Sequence, residues 1–287
     1  MRKLAAFFLT YALAVLGSAA NGPLPHVLVT NDDGIDAPGI AALVEVLRPE
    51  YRVTVCAPAG EQSSVGHGIT SHAPVLVEER PASDGVRRYA IHAQPATCVR
   101  ICLSALLAND APAMVLSGIN RGDNAGRATW PSGTVAGGRE GALFGLPAVA
   151  FSAARPSSGL PDFAAAARWA KLTLERLRAA GLPRAGELVK VEVPHPASGA
   201  RGILVTRVGQ APALEHRYEE RPGPSGERLF VSIKRGAEHD APGTDEEALA
   251  QGFVAITPLS LDQTDYFRIP ELASISWEMP PARTAPQ

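Results

Sequence analysis

The chain of 287 residues has only three cysteines and no surplus of either charge, since 27 Lys and Arg stand against 29 Asp and Glu, a formal net charge of −2. Three cysteines are too few for the disulfide frameworks that hold small secreted domains together, and their spacing suggests no zinc site. Without a basic excess the chain lacks the footprint of a protein that binds nucleic-acid polymers, and none is expected as a partner. The 27 glycines and 25 prolines make up about 18% of the chain, below the roughly 25–30% of low-complexity sequences. No internal repeat is evident. What is present is a 46% hydrophobic composition, ordinary for a globular protein and enough for a sizeable core, at a length that suits one large domain or two small ones.

The N-terminus reads as a secretory signal over 1–20. Arg2 and Lys3 supply a basic start, 4–16 an apolar run, and Gly17-Ser18-Ala19-Ala20 a small-residue cleavage region, with cleavage expected near Ala19 or Ala20. The apolar run falls short of the ~20 residues of a membrane span. A periplasmic or secreted protein with no stable membrane anchor after cleavage is therefore expected. Export puts the cysteines in an oxidising compartment. Cys56 lies in the apolar run 53–57, and Cys98 and Cys102 are four apart on a predicted helix. Burial of all three as thiols is the expectation, with a Cys98–Cys102 disulfide as the alternative.

Apolar, β-branched runs alternate with helical periodicities along the first two thirds of the chain. Strands are predicted over 26–30, 52–57, 113–117, 148–152 and 188–193, and helices over 40–47, 96–107, 135–144 and 162–177, the last with Asp162 as N-cap. Strands that are apolar throughout are buried on both faces of a parallel sheet. The expectation is an α/β fold, a Rossmann-like, doubly wound and mostly parallel sheet over 26–193. From 194 the texture changes to predicted strands at 201–208 and 228–234, separated by the polar, Pro/Gly-rich stretch 215–227. That region, 194–275, reads as a hairpin-bearing accessory and oligomerisation unit packed on the core, followed by a flexible tail over 276–287.

In a doubly wound sheet the loops leaving the C-terminal strand ends carry the site. Asn31-Asp32-Asp33-Gly34 directly follows the first strand. Adjacent carboxylates raise one another's pKa unless a cation compensates them, and a hard divalent ion with oxygen ligands does so. The same tetrapeptide also suits a solvated turn or a helix cap. Ser63 and Ser64 follow the second strand, and Asn120, Arg121 and Asp123 follow a later one. Ser132-Gly133-Thr134 precedes a predicted helix whose N-terminal amides suit a phosphate, although Ser132 also fits a simple cap. Arg121 has the fork to grip two phosphate oxygens. His67 fits either a structural loop histidine or an acid/base or phosphate contact. Carboxylates for a metal beside small donors for an anion are what phosphoester hydrolysis requires.

At these residues the sequence resembles the SurE survival-protein family of metal-dependent 5′/3′-nucleotidases. The resemblance runs through Val27-Leu28-Val29-Thr30-Asn31-Asp32-Asp33-Gly34-Ile35, Ala57-Pro58 with Glu61-Gln62-Ser63, Pro95-Ala96 with Cys98-Val99, and Ser117-Gly118-Ile119-Asn120-Arg121-Gly122. It continues in Ser132-Gly133-Thr134-Val135, Arg139-Glu140-Gly141-Ala142, Gly243-Thr244-Asp245 and 254–259, in unbroken order over 26–265. It implies a Rossmann-like core with a C-terminal extension exchanged between subunits of a homodimer or homotetramer. It places one divalent ion, Mg²⁺ or Mn²⁺, on Asp32, Asp33, Ser63 and Asn120, and puts Asn31 and Ser132-Gly133-Thr134 beside the phosphate. The implied substrates are nucleoside 5′- or 3′-monophosphates, with short polyphosphate for some members. Two departures stand out: 124–131 is atypical, and Thr97 stands where the family usually has Asp.

The expected mechanism has Asp32 and Asp33 as the catalytic carboxylates, Asp33 helping to accept a proton from the attacking water. Two rivals remain at this level. One is covalent catalysis through an aspartyl-phosphate on Asp32, as in haloacid-dehalogenase-like phosphatases, which expect two aspartates separated by one residue rather than adjacent. The other is an exported nucleotide-binding protein without turnover.

Overall fold

The structure, a computed structural model, describes residues 23–82, 84–210, 216–234 and 241–277. The expected leader over 1–20 and the tail from 278 onward lie outside the described residues. Among the described residues no helix is long and apolar enough to cross a membrane.

The chain opens with β1 (His26–Thr30), α1 (Pro38–Leu47), β2 (Arg52–Pro58), β3 (Val77–Arg80) and β4 (Arg87–Ile91). It continues through α2 (Pro95–Ile101), β5 (Met114–Arg121), α3 (Gly133–Leu143), β6 (Ala148–Ala153), α4 (Phe163–Ala179) and β7 (Leu188–Val193). Then come β8 (Ile203–Val205), β9 (His216–Pro222), β10 (Arg228–Lys234), α5 (Asp245–Ala250), β11 (Val254–Leu259) and α6 (Ile269–Ala273). Nine strands form one sheet in the order β3-β4-β2-β1-β5-β6-β7-β11-β8, and β9 and β10 pair only with each other. From β4 to β7 every pairing is parallel; β3 and β11 join antiparallel. The doubly wound, mostly parallel α/β sheet expected from the alternation of apolar runs is the fold observed.

Both faces of that sheet are covered, which is why its strands are apolar at nearly every position. One buried cluster joins Val27, Val29 and Leu116 to Ile40, Leu43 and Leu47 of α1 and to Phe163, Ala167 and Leu174 of α4. On the other face Leu28, Cys56, Val115 and Ala150 meet Cys98 and Val99 of α2 and Val135 and Ala142 of α3. At about 25 cal/mol per Å² of apolar area, each fully buried Leu, Val or Phe contributes ~1.5–3 kcal/mol. Helix starts follow local chemistry: Asp162 Oδ1 accepts from the Ala165 amide at 2.9 Å, and Pro38 and Pro95 stand in the first turns of α1 and α2.

Several expectations need correction. Cys56 is not a free thiol, and Cys102 does not pair with Cys98: Cys56 and Cys102 form a disulfide with Cα atoms 6.4 Å apart, leaving Cys98 as the buried free thiol. The partners are 46 residues apart and meet because α2 lies over β2, a consequence of packing that spacing does not encode. The helix predicted over 96–107 is α-helical only to Ile101 and widens to a π-turn over Cys102–Leu106. The strand predicted over 201–208 shortens to β8, which joins the main sheet through β11. The partner of β10 is instead β9, inside the polar stretch read as a connection, with Phe230 opposite Glu220 and Ser232 opposite Tyr218. Its sequence, HRYEERP, lacks an apolar alternation because the arm has no core beneath it.

Candidate active site

The order β2-β1-β5 marks a switch point, because the chain leaves β1 for a neighbour on one side and later returns through β5 on the other. A crevice opens at such a point beyond the carboxyl ends of the strands. The loop after β1 carries Asp32 and Asp33, and the end of β5 carries Asn120 and Arg121. In β5 a register shift between Ser117 and Asn120 against β6 marks a bulge, which re-aims the side chains that follow it. The loop after β2 brings Ser63 and Ser64 to the same cavity, of about 320 Å³, together with Asp32, Asn120, Arg121, Ser132, Arg127 and Arg155.

Each expected site residue has a definite place. Asp32, 3% exposed, accepts a hydrogen bond from the Thr134 hydroxyl. Burial pushes its carboxyl up to about 6, opposed by that hydroxyl and reinforced by Asp33. Asp33 accepts from the Arg121 backbone amide at 2.8 Å on Oδ2, while its Oδ1 has no hydrogen-bond partner. Burial raises its pKa as well, with Arg121 opposing the rise. The Arg121 guanidinium stands 3.7 Å from Asp33 and 3.0 Å from Glu61, so it neutralises one side of the acidic pair. Ser63 donates to Glu61 at 3.0 Å, and the Asn120 amide donates to the Gly122 carbonyl at 2.8 Å. Both therefore spend their donors elsewhere and keep acceptor oxygens open.

Asn31 lies deeper. It is fully buried, its amide donates to the Gly34 carbonyl at 2.7 Å, and its Oδ1 is unpartnered. Gly34 sits at φ +101°, a conformation that favours glycine, so this bond closes the turn that presents the two aspartates. Ser132 caps α3, accepting from the Val135 amide at 3.0 Å. A Cβ placed on Gly133 would come 2.9 Å from Asp32 Oδ2; only a glycine lets this helix terminus approach the carboxylate so closely. Ser132, Gly133 and Thr134 thus stand beside Asp32 at the positive end of a helix dipole.

Three roles were not read from the sequence. Arg155, at the end of β6, donates from Nε to the Arg121 carbonyl at 2.6 Å and lines the cavity; its place after a parallel strand was the available signal. Arg127, in the atypical stretch 124–131, lines the same cavity. Glu61 holds Arg121. Thr97, the departure noted in the sequence, keeps a polar contact, its hydroxyl accepting from the Thr70 amide at 2.9 Å. His67 Nε2 donates to the fully buried Glu140 carboxylate at 2.8 Å, beside the 2.6 Å contact from Arg100. Burial would raise Glu140, but those two partners outweigh it and hold its carboxyl below the usual range. His67 therefore ties the loop of Ser63 to α3.

Among the described residues no cluster of three or more His, Cys, Asp or Glu is placed to hold a metal ion. The cavity brings together the Asp32 carboxylate, the Ser63 hydroxyl and the Asn120 amide oxygen, while Asp33 lines a neighbouring cavity with Gly34, Glu61 and Arg121, which borders both. Carboxylate, hydroxyl and amide oxygens are the ligand chemistry of a hard cation that takes one or two carboxylates.

Fold and site together define a Rossmann-like protein with an acidic, oxygen-lined cleft abutting a helix N-terminus at the switch point of its sheet. The model of the family described as "Survival protein SurE" matches residues 27–215, and the chain belongs to that family. It is 40% identical over 255 residues to the 5′-nucleotidase SurE of Moorella thermoacetica, covering 86% of this chain and 95% of the relative. It is 39% identical over 245 residues to 5′-nucleotidase SurE 1 of Thermus thermophilus, covering 83% and 93%. The crystal structure of the SurE protein from Aquifex aeolicus superposes with a TM-score of 0.74 at 33% identity, covering 86% of this chain and 98% of that one.

Proposed function

We propose that the protein is a nucleotidase, a phosphoric monoester hydrolase that releases phosphate from nucleoside monophosphates, and that it depends on one divalent ion such as Mg²⁺ or Mn²⁺. Family membership and the relatives' 5′-nucleotidase names support the reaction class. The observation that carries the metal dependence is the pair of adjacent carboxylates, Asp32 and Asp33, at one strand end, with Ser63 and Asn120, whose donors are already spent, lining the same cavity as Asp32. Asp32, Asp33, Ser63 and Asn120 would hold the ion. When bound, it polarises a phosphoryl oxygen and makes water a stronger nucleophile at neutral pH.

The chain's own residues do the rest. The N-terminal amides of α3, at Ser132, Gly133 and Thr134, receive the phosphate oxygens. Arg121 supplies positive charge at the cleft and holds Asp33 in place. Thr134 fixes the Asp32 carboxylate. The Asp33 carboxylate helps to accept the proton lost by the attacking water. Asn31 shapes the turn behind them.

The reading extends to 3′-monophosphates and short polyphosphate, whose phosphoryl groups present the same anion to the cleft. It extends also to export with removal of 1–20, which agrees with a Cys56–Cys102 disulfide, and to a homodimer or homotetramer. The exposed Tyr218, Phe230 and Val231 of the β9–β10 arm support assembly, because an isolated two-stranded ribbon is marginal without a partner to pack on.

Phosphate release from a panel of 5′- and 3′-nucleotides and polyphosphate, with each of several divalent ions and with chelator, tests the reading. Wild type should require a divalent ion. Asp33→Asn should lose at least two orders of magnitude in kcat, on the scale set by losing a positioned acid/base group, while remaining folded. Undiminished turnover in chelator, or in Asp33→Asn, would overturn the metal mechanism.

A further inference from the structure

We propose that Lys190 is a positioning residue of the cleft: its buried ammonium, seated between Asp245 and the segment 124–129, fixes where that segment stands as the cleft wall. The proposal rests on the nucleotidase reading for its kinetic consequence, and on geometry alone for the clamp itself.

Lys190 and Glu192 alternate with Val189, Val191 and Val193 along β7, so both project from the same face of the sheet. Neither is exposed at all. A lysine so placed must satisfy three N–H donors away from water, and it does. Nζ donates to the Asn124 carbonyl at 2.7 Å, to the Thr129 hydroxyl at 2.9 Å and to Asp245 Oδ2 at 2.6 Å. Glu192, whose Oε1 is 3.8 Å from Nζ, accepts the Asn124 amide on Oε2 at 2.9 Å. The Asn124 side chain donates to Ser152 at 3.0 Å. Asn124 is thus held at its N–H, its carbonyl and its side chain. Asp245 accepts the Gly126 amide at 3.1 Å and the Gly209 amide at 2.9 Å. One buried ammonium therefore joins three stretches of chain that lie far apart in sequence.

The segment so held has little regular structure of its own, a short 3₁₀ turn over Gly126–Thr129. Asn124, Arg127 and Ala128 from it line the cavity that also contains Asp32, Ser63 and Asn120. Just beyond it, the Pro131 carbonyl accepts the Gly66 amide at 2.9 Å, which links the wall to the loop bearing Ser63. An apolar side chain at 190 would fill the same volume between strand and helix. What it would not supply is the donor set that fixes Asn124 and Thr129, and site geometry held by such supporting contacts is what sets binding.

Two variants separate positioning from bulk stability. Lys190→Met leaves Asp245 without its countercharge, so Tm should fall. Lys190→Met with Asp245→Asn removes that uncompensated charge, and most of the Tm should return. In both, KM for a nucleoside monophosphate should rise about tenfold with kcat within about threefold, because the cleft wall has moved while Asp32 and Asp33 have not. Hydrogen exchange of the peptide spanning 124–131 should speed up in both. A double variant with recovered Tm, native KM and native exchange would overturn the proposal. Wild type that releases no phosphate from any nucleotide with any divalent ion would overturn the nucleotidase reading instead. The clamp would then be decided by exchange alone, with native protection of 124–131 in the double variant counting against it.

Discussion

Single residues at this site are constrained by how closely unlike groups approach one another. Gly133 is the sharpest case, since its hydrogen leaves room for Asp32 where a methyl would stand 2.8 Å from the Asp32 Cβ. Gly133→Ala should force the carboxylate off its Thr134 partner, at a cost of ~1–3 kcal/mol of stability typical of overpacking, and lower turnover by at least tenfold. An active variant with unchanged Tm would show that the carboxylate has slack. Glu192 gives the molecule a pH signature. Burial pushes its carboxyl up to about 7, with Lys190 and the Asn124 amide opposing. The native state therefore binds this proton more tightly than the unfolded chain does. The associated stability is complete below about pH 4.5 and is lost as pH rises through 7. Tm should decline between pH 5 and 8, and Glu192→Gln should make that decline shallower, leaving the slope from Asp32 and Asp33, whose pKa values are raised in the same direction. A decline equally steep in Glu192→Gln would assign the slope elsewhere.

Among the elements, legibility in the sequence tracked burial. β1, β2, β6 and β7 are apolar because each is covered on both faces, so a continuous run of Val, Leu and Ala was enough to place them. The chemistry at the strand ends was equally visible, because Asp32-Asp33 and Ser63 follow β1 and β2, Asn120 stands at the end of β5 and Ser132-Gly133-Thr134 opens α3. β3 at the sheet edge and β4 beside it, both only partly covered, carried no comparable signal, and β9 carried none. The disulfide was invisible for a different reason: α2 crosses β2, and no periodicity reports which strand a helix will cover. The buried Lys190 and Glu192 lay in plain view as charges inside an apolar strand, a pattern that in retrospect marks a polar network within the fold.

For the whole molecule, Tyr218 and Phe230 on the β9–β10 arm and Phe267 and Trp277 in the segment after β11 are among the large apolar side chains left exposed in the described residues. Exposed aromatics in such number are the mark of a binding surface, and a second copy of this chain is the occupant proposed above. Phe230→Asp should shift the mass measured by light scattering toward the monomer at micromolar concentration; an unchanged mass would place the interface elsewhere. The sequence by itself determined the parallel sheet, the strand-end position of the acidic pair and the oxygen character of its donors, because these follow from local periodicity and from residue types at loop boundaries. Only the tertiary structure decided that Arg121 neutralises Asp33, that Cys56 meets Cys102 and that Lys190 pins Asn124. Each of those pairs is brought together by packing across the sheet, and distance along the chain carries no record of it.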